Sequence, residues 1–153
     1  MTQNGEHAPP RVSDAQMLAR FQASTKRPPC SQTLGMKLTR VDQARLEIGL
    51  EFEAAPAFAN PTGAIQGGFL AAMLDEAMST CCIIASNVTM NAPTLEMKVS
   101  FLRPLFVGKA SCTARIVKLG KTIAFVEAEL FDPDGALAAK ASATQAPKAF
   151  KRF

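Results

Sequence analysis

Residues 65–85 are nearly all apolar or small, and the only charges among them, Asp75 and Glu76, lie at the centre of the run. The stretch is about as long as a bilayer span. Each carboxylate would cost roughly 2.5–3.5 kcal/mol at the middle of a membrane, so a helix buried inside a soluble protein fits better. A helix that is apolar almost all round cannot lie flat on one sheet face without leaving its far side wet. It needs a curved sheet around it, a partner subunit against it, or both.

The rest of the chain reads as that sheet. The full length of 153 residues, 48% hydrophobic, suits one compact core. Ser13 with Gln16 forms a capping box, and Met17, Leu18 and Phe21 mark one face of a short helix that ends near Ser24, before the stop at 26–29. Strands are predicted at 35–41 and 44–53, the second with Leu46, Ile48, Leu50 and Phe52 on one face. A loop over 54–65 leads into a helix over 66–86. Four more strands follow at 94–102, 109–119, 122–131 and 136–144, with Gly120-Lys121 and residues 132–135 as hairpin turns. The order is that of an α+β fold with an antiparallel sheet. The expected organisation is a flexible leader over 1–11, a single domain over 12–146 and a basic tail over 147–153.

Residue types that are scarce exclude whole classes of chemistry. The one histidine, His7, lies in the polar leader. That argues against a Ser-His-Asp triad, a Cys-His pair, a histidine-ligated metal and a histidine-based dehydratase. With no Tyr or Trp in the chain, acid–base work falls to Asp, Glu, Lys or Cys. No P-loop or dinucleotide fingerprint accompanies the pair Gly67-Gly68, and neither metal nor cofactor is expected. Cys30, Cys81, Cys82 and Cys112 lack CxxC or zinc spacing, and residues 1–10 lack the order of a secretory signal, so reduced thiols in a cytoplasmic protein are expected. The net charge of +4 is scattered along the chain, which suits an acidic small molecule better than nucleic acid.

Adjacent helix positions point about 100° apart, so at most one of Asp75 and Glu76 is expected to face the interior, unless both lie on a solvent strip. Buried acids are rare unless paired or functional. Gly67 and Gly68 open the helix, where backbone N–H groups lack partners and carry the positive end of the dipole. Such donors can hold a developing oxyanion, and glycine leaves the approach open, although a glycine pair also serves close packing alone. Gly67 and Asp75 are about 12 Å apart along the axis and roughly 80° apart in azimuth. One carbonyl carbon cannot touch both. If they act together, the aspartate comes from a second copy of the helix across a two-fold axis, giving an obligate dimer with two composite sites.

The run NPTGAIQGGFLAAMLDEAMS, followed by TLEMKVSFLRPLFVGKASCTARIVKLGKTIAFVEAELFDPDGALAAKASAT, resembles the hotdog-fold acyl-CoA thioesterases of the PaaI (phenylacetate-degradation) type, over about residues 34–144. The resemblance implies an antiparallel sheet wrapped around a long central helix, homodimers assembled into a homotetramer, and hydrolysis of an acyl-CoA or aryl-CoA. It implies that Asn60 contacts the thioester region, that the Gly67 N–H polarises the thioester carbonyl with Gly68 beside it, and that Asp75 is nucleophile or general base. It also implies that Thr94 positions water, that Ser79 is a polar site position, and that Arg103 is a basic position facing the substrate. One departure stands out: the family usually has His before the double glycine, and this chain has Gln66. Gln can orient by hydrogen bonds but takes no proton at neutral pH, and it can also serve simply at the start of the helix. Phe58, Phe69, Met73 and Met90 are candidates to line an acyl pocket. Lys118, Lys121, Lys148, Lys151 and Arg152 would hold CoA phosphates or form a solvated basic surface. The rival readings are a non-catalytic acyl-CoA-binding module and a structural protein in which the helix bearing Cys81-Cys82 is only a dimer core.

Overall fold

A computed structural model describes residues 12–150, so the leader, His7, Lys151 and Arg152 lie outside the described residues. The chain order is α1 (Asp14–Ala23), α2 (Pro29–Thr33), β1 (Lys37–Asp42), β2 (Glu47–Ala54), α3 (Gly67–Ala85), β3 (Met90–Asn91), β4 (Thr94–Phe101), β5 (Gly108–Leu119), β6 (Ala124–Phe131), β7 (Leu137–Gln145) and β8 (Lys148–Ala149). A 3-10 turn at Pro56–Phe58 interrupts the loop before α3.

The capping box of α1 is made in both directions: Ser13 Oγ accepts the Gln16 N–H at 3.2 Å, and Gln16 Oε1 accepts the Ser13 N–H at 2.9 Å. This fixes the start of a helix whose Met17 is buried against the core and which packs on β1. Apolar periodicity misses α2, because five residues are too few to show it. Its ends are nonetheless marked. Pro29 fills the first position, where no N–H is needed, and Gly35 follows the end at φ +60°. A Cβ on Gly35 would lie 2.5 Å from that of Glu53, so close packing on β2 also requires the glycine.

Six strands form one antiparallel sheet in the order β1-β2-β5-β6-β7-β4, and α3 packs across its inner face. The helix buries Leu70, Met73, Leu74, Ala77, Met78, Cys81 and Ile84, a stripe at three- and four-residue spacing. Beneath it most inner positions of the central strands are small, Ala110, Cys112 and Ala114 on β5, Ala124 and Ala128 on β6, and Ala139, Ala141 and Ala143 on β7, with Ile116, Val126 and Leu130 the larger members. Small side chains let the helix lie close to the sheet, while Ile48, Leu50 and Phe52 on β2 close one flank. The sheet does not enclose α3: Ala72 is exposed, and Phe69 and Ile83 are only partly covered. By length and composition α3 could cross a membrane, with half of its span buried in this fold.

β4 is an edge strand, and its alternation is broken once. Met97, Val99 and Phe101 face Ala143, Ala141 and Ala139 on the inner side, but the register shifts between Thr94 and Glu96. Leu95, 60% exposed, is the extra residue of this bulge. Thr94 therefore pairs with Gln145 and joins the inner row, where regular alternation would have turned it outward. The basic tail expected from 147 is in part a strand: Lys148–Ala149 pairs with Met90–Asn91, and buried Ala146 donates to the Pro93 carbonyl at 2.9 Å. The ordered fold thus continues past the expected boundary at 146.

Candidate active site

The two central carboxylates diverge, as adjacent helix positions must. Glu76 turns to α2, where it accepts from the Ser31 hydroxyl and, at 3.9 Å, from the Cys30 thiol. That holds α2 against α3. Asp75 turns to the sheet edge, where its Oδ1 accepts from the Thr94 hydroxyl at 2.5 Å. Gln145 Nε2 donates to Thr94 Oγ1 at 3.2 Å and to Ser79 Oγ at 3.0 Å, and the Ser79 hydroxyl donates to the Ala92 carbonyl at 3.4 Å. Asp75, Ser79 and Thr94, all expected at the site, thus form one connected group. Gln145 also joins it, one residue beyond the strand that the sequence pattern predicts over 136–144. Its signal in the sequence is the alternation Ala139, Ala141, Ala143, Gln145: a long polar side chain ending a row of buried alanines.

The helix start forms a second group. Gln66 is the N-cap itself, its Oε1 accepting the Gly68 N–H at 2.7 Å. A Cβ on Gly68 would sit 2.7 Å from that same oxygen, so Gly68 makes room for the cap. Its N–H is thereby engaged, and Gly67 keeps the helix-start donor that meets no acceptor among the described residues. The ring of Phe101 lies over Gly67, with Cζ 3.1 Å from where a Cβ would stand. Gly67, Phe101, Asn60 and Arg103 line a cleft of about 550 Å³, together with Leu70 and Leu105. Asn60 Oδ1 is occupied by the Thr62 N–H and hydroxyl at 2.9 and 2.7 Å, which leaves its Nδ2 as the free donor. Arg103 is exposed at the rim, its backbone N–H tied to the Ala138 carbonyl.

Within one chain, then, the expected residues form two half-sites at different points along α3, and Asp75 does not line the cleft at Gly67. A groove of about 430 Å³ on the outer sheet face, among Lys98, Arg115, Glu127, Glu129 and Lys140, holds none of the candidate residues. Of the expected pocket residues, Phe58 and Phe69 stack with ring centroids 4.1 Å apart beside the helix start, Met73 is fully buried in its own core, and Met90 lies on β3. Lys118, Lys121 and Lys148 are exposed.

At Cys81, Cys82 and Cys112 thiolate chemistry is closed off by burial, while Cys30 is exposed on α2. Desolvation, with Cys82 alongside, pushes the Cys81 thiol up to about 12; desolvation alone takes Cys82 to about 12, and Cys112 is pushed higher still. Among the described residues no cluster of His, Cys, Asp or Glu could hold a metal ion. The arrangement offers a carboxylate with a tethered hydroxyl at one end and an unpaired amide donor beside an open cleft at the other. An antiparallel sheet packed across one long central helix is the hotdog architecture.

The comparisons with known proteins agree. The Thioesterase superfamily model matches residues 62–139, and the chain belongs to that family. A phenylacetic acid degradation-related protein of Ralstonia eutropha JMP134 is 32% identical with a TM-score of 0.78, covering 85% of this chain and 98% of that one. The PaaI protein from the phenylacetic acid degradation operon of E. coli shares the fold at 19% identity, with a TM-score of 0.77 over 90% of this chain and 97% of that one. Human acyl-coenzyme A thioesterase 13 is 27% identical over 111 residues, which are 72% of this chain and 78% of that one.

Proposed function

We propose that the protein hydrolyses acyl-CoA thioesters, with a preference for aryl acyl groups, at a site assembled from two subunits. The observation that carries the reading is Asp75, held by the Thr94 hydroxyl on an otherwise apolar helix, with its second oxygen uncommitted among the described residues. A relative named as an acyl-CoA thioesterase supports the substrate class. The aromatic preference is supported by Phe101, whose ring lies over Gly67 in the cleft.

The composite site follows from the edge strand. β4 exposes Leu95 and Phe101 along an unpaired edge, the kind of surface that pairs with another strand. It runs from Thr94, beside Asp75, to Phe101, beside Gly67. Antiparallel pairing of two such edges sets the Asp75 end of one subunit next to the Gly67 end of the other. The thioester oxygen would then lodge at the Gly67 N–H, Asn60 Nδ2 and Arg103 would hold the substrate in the cleft, and the partner copy of Asp75 would attack or activate water. A thiolate leaves without strong acid assistance, so the absence of a histidine beside Gly67 is tolerable. Gln66 serves here as the cap at the helix start, Thr94 holds the carboxylate, and Ser79 accepts from Gln145 beside it.

A panel of aryl- and alkyl-CoA thioesters, assayed for CoA release, tests the reading. Asp75→Asn should lower kcat by at least ~100-fold on the best substrate. Equal rates for the variant and the wild type would remove Asp75 from the chemistry.

A further inference from the structure

We propose that Gln145 is a positioning residue that holds the Thr94 hydroxyl as a donor to Asp75 and acts on the reaction through that hydroxyl. This rests on the reading of Asp75 as the reacting carboxylate. Gln145 ends β7 directly opposite Thr94, and its side chain is fully buried. The protons around it are already assigned. A hydroxyl has one proton to give. Thr94 gives its proton to Asp75 Oδ1, and Ser79 gives its proton to the Ala92 carbonyl, two groups that can only accept. Toward β7 both hydroxyl oxygens are therefore acceptors. An amide NH2 carries two protons and meets both, at 3.2 and 3.0 Å. Reversing the amide would set its oxygen against two hydroxyl oxygens that have no proton left for it. At the far end, Gln145 Oε1 meets no donor among the described residues, so the Nε2 contacts alone fix the orientation.

The hydrogen-bond chain consequently runs one way, from Gln145 N–H to Thr94 O–H to Asp75. Donors that are themselves hydrogen-bonded acceptors are strengthened, and the Thr94 rotor loses its other settings. Asp75 Oδ1 stays tied down, which leaves Oδ2 for the attacking oxygen. The geometry depends on the bulge at Leu95, since only the shifted register brings Thr94 across from Gln145.

A double-mutant cycle tests the proposal, using the full chain and phenylacetyl-CoA as the probe, or the best substrate of the panel if that one is not turned over. Gln145→Met, Thr94→Val and the double variant are each assayed for kcat and KM, with melting curves to establish folding. The expected result is a roughly 10-fold lower kcat for Gln145→Met with KM within about 2-fold, and less than about 2-fold further loss when Thr94 is already Val. A residue that merely packed the strand end would lower kcat by the same factor in both backgrounds, and that outcome overturns the proposal. So does a wild-type kcat for Gln145→Met. Should Gln145→Met not fold, Gln145→Leu carries the same cycle: it removes both donors without adding a charge, and should lose at least as much activity in the Thr94 background only. Asp75→Asn is run in parallel. Wild-type rates from it sink the underlying reading, whereas an inactive Asp75→Asn with equal Gln145 effects in both backgrounds sinks this proposal alone.

Discussion

Replacing Gly67 and Gly68 by alanine, one at a time, separates the two glycines. A Cβ at Gly67 would stand 3.1–3.4 Å from three ring atoms of Phe101, a contact tight enough that the ring must give by a few tenths of an ångström. Within one chain Phe101 is 55% exposed, and a shift of a few tenths of an ångström is small enough for the ring to make even along a paired edge. Alanine gains up to about 1 kcal/mol over glycine in a helix, so the stability of Gly67→Ala should stay within about 1 kcal/mol of wild type, or about 2–4 °C in Tm. Activity should respond quite differently. The methyl fills the cleft between the ring and the Gly67 N–H, which meets no acceptor among the described residues, and losing one oxyanion donor costs about 100- to 1,000-fold in kcat. At Gly68 the added methyl meets Gln66 Oε1 at 2.7 Å and pushes out the cap. Losing a cap costs about 0.5–2 kcal/mol, largely offset by the same gain in propensity, and no substrate donor is removed. Melting curves and CoA-release kinetics on the two variants give the comparison. Equal loss of kcat at both positions, or full activity in Gly67→Ala, would refute the assignment of the donor to Gly67.

Mixing and refolding Asp75→Asn with Gly67→Ala should restore about a quarter of wild-type activity, because half of randomly formed dimers are mixed and each mixed dimer has one intact composite site of two. No recovery would mean that both groups serve the same chain. Ser31→Ala removes the hydroxyl donor to partly buried Glu76 and should lower stability by about 1 kcal/mol in urea melts with kcat unchanged, since Glu76 faces away from the cleft. The buried thiols should make the protein alkali-sensitive. Folded-state values for Cys81 and Cys82 are raised to about 12 from 9.0, so the stability they confer is whole below pH 9 and is lost as pH rises toward 12. With no tyrosine in the chain, urea midpoints should fall over that window, and Cys82→Ala should flatten the slope.

How far the site could be read from the chain depends on what each residue needs in order to be recognised. Asp75 was legible because a charge in an apolar run contradicts its surroundings, and the capping box and the turns were legible because they are local patterns. The separation of Gly67 from Asp75 needed only the rise of a helix. Thr94 is different: in a regular strand it and Met97 would face opposite ways, and a bulge at an exposed leucine is what turns it inward. Only the family resemblance pointed to it, since alternation points the other way. Gln145 escaped because it lies one residue past the predicted strand end at Thr144, where nothing in the local pattern ties it to Thr94. α2 and β8 escaped because each is too short to have a period. Two of these misses meet at one place. The strand end at Gln145 and the bulge at Leu95 both act on Thr94, where the chain departs from regular patterning to hold the Asp75 carboxylate in a fixed direction. The bulge absorbs Leu95 as an extra residue, and that is what keeps Thr94 opposite Gln145 and turned toward Asp75 in a strand whose unbroken alternation would face it outward.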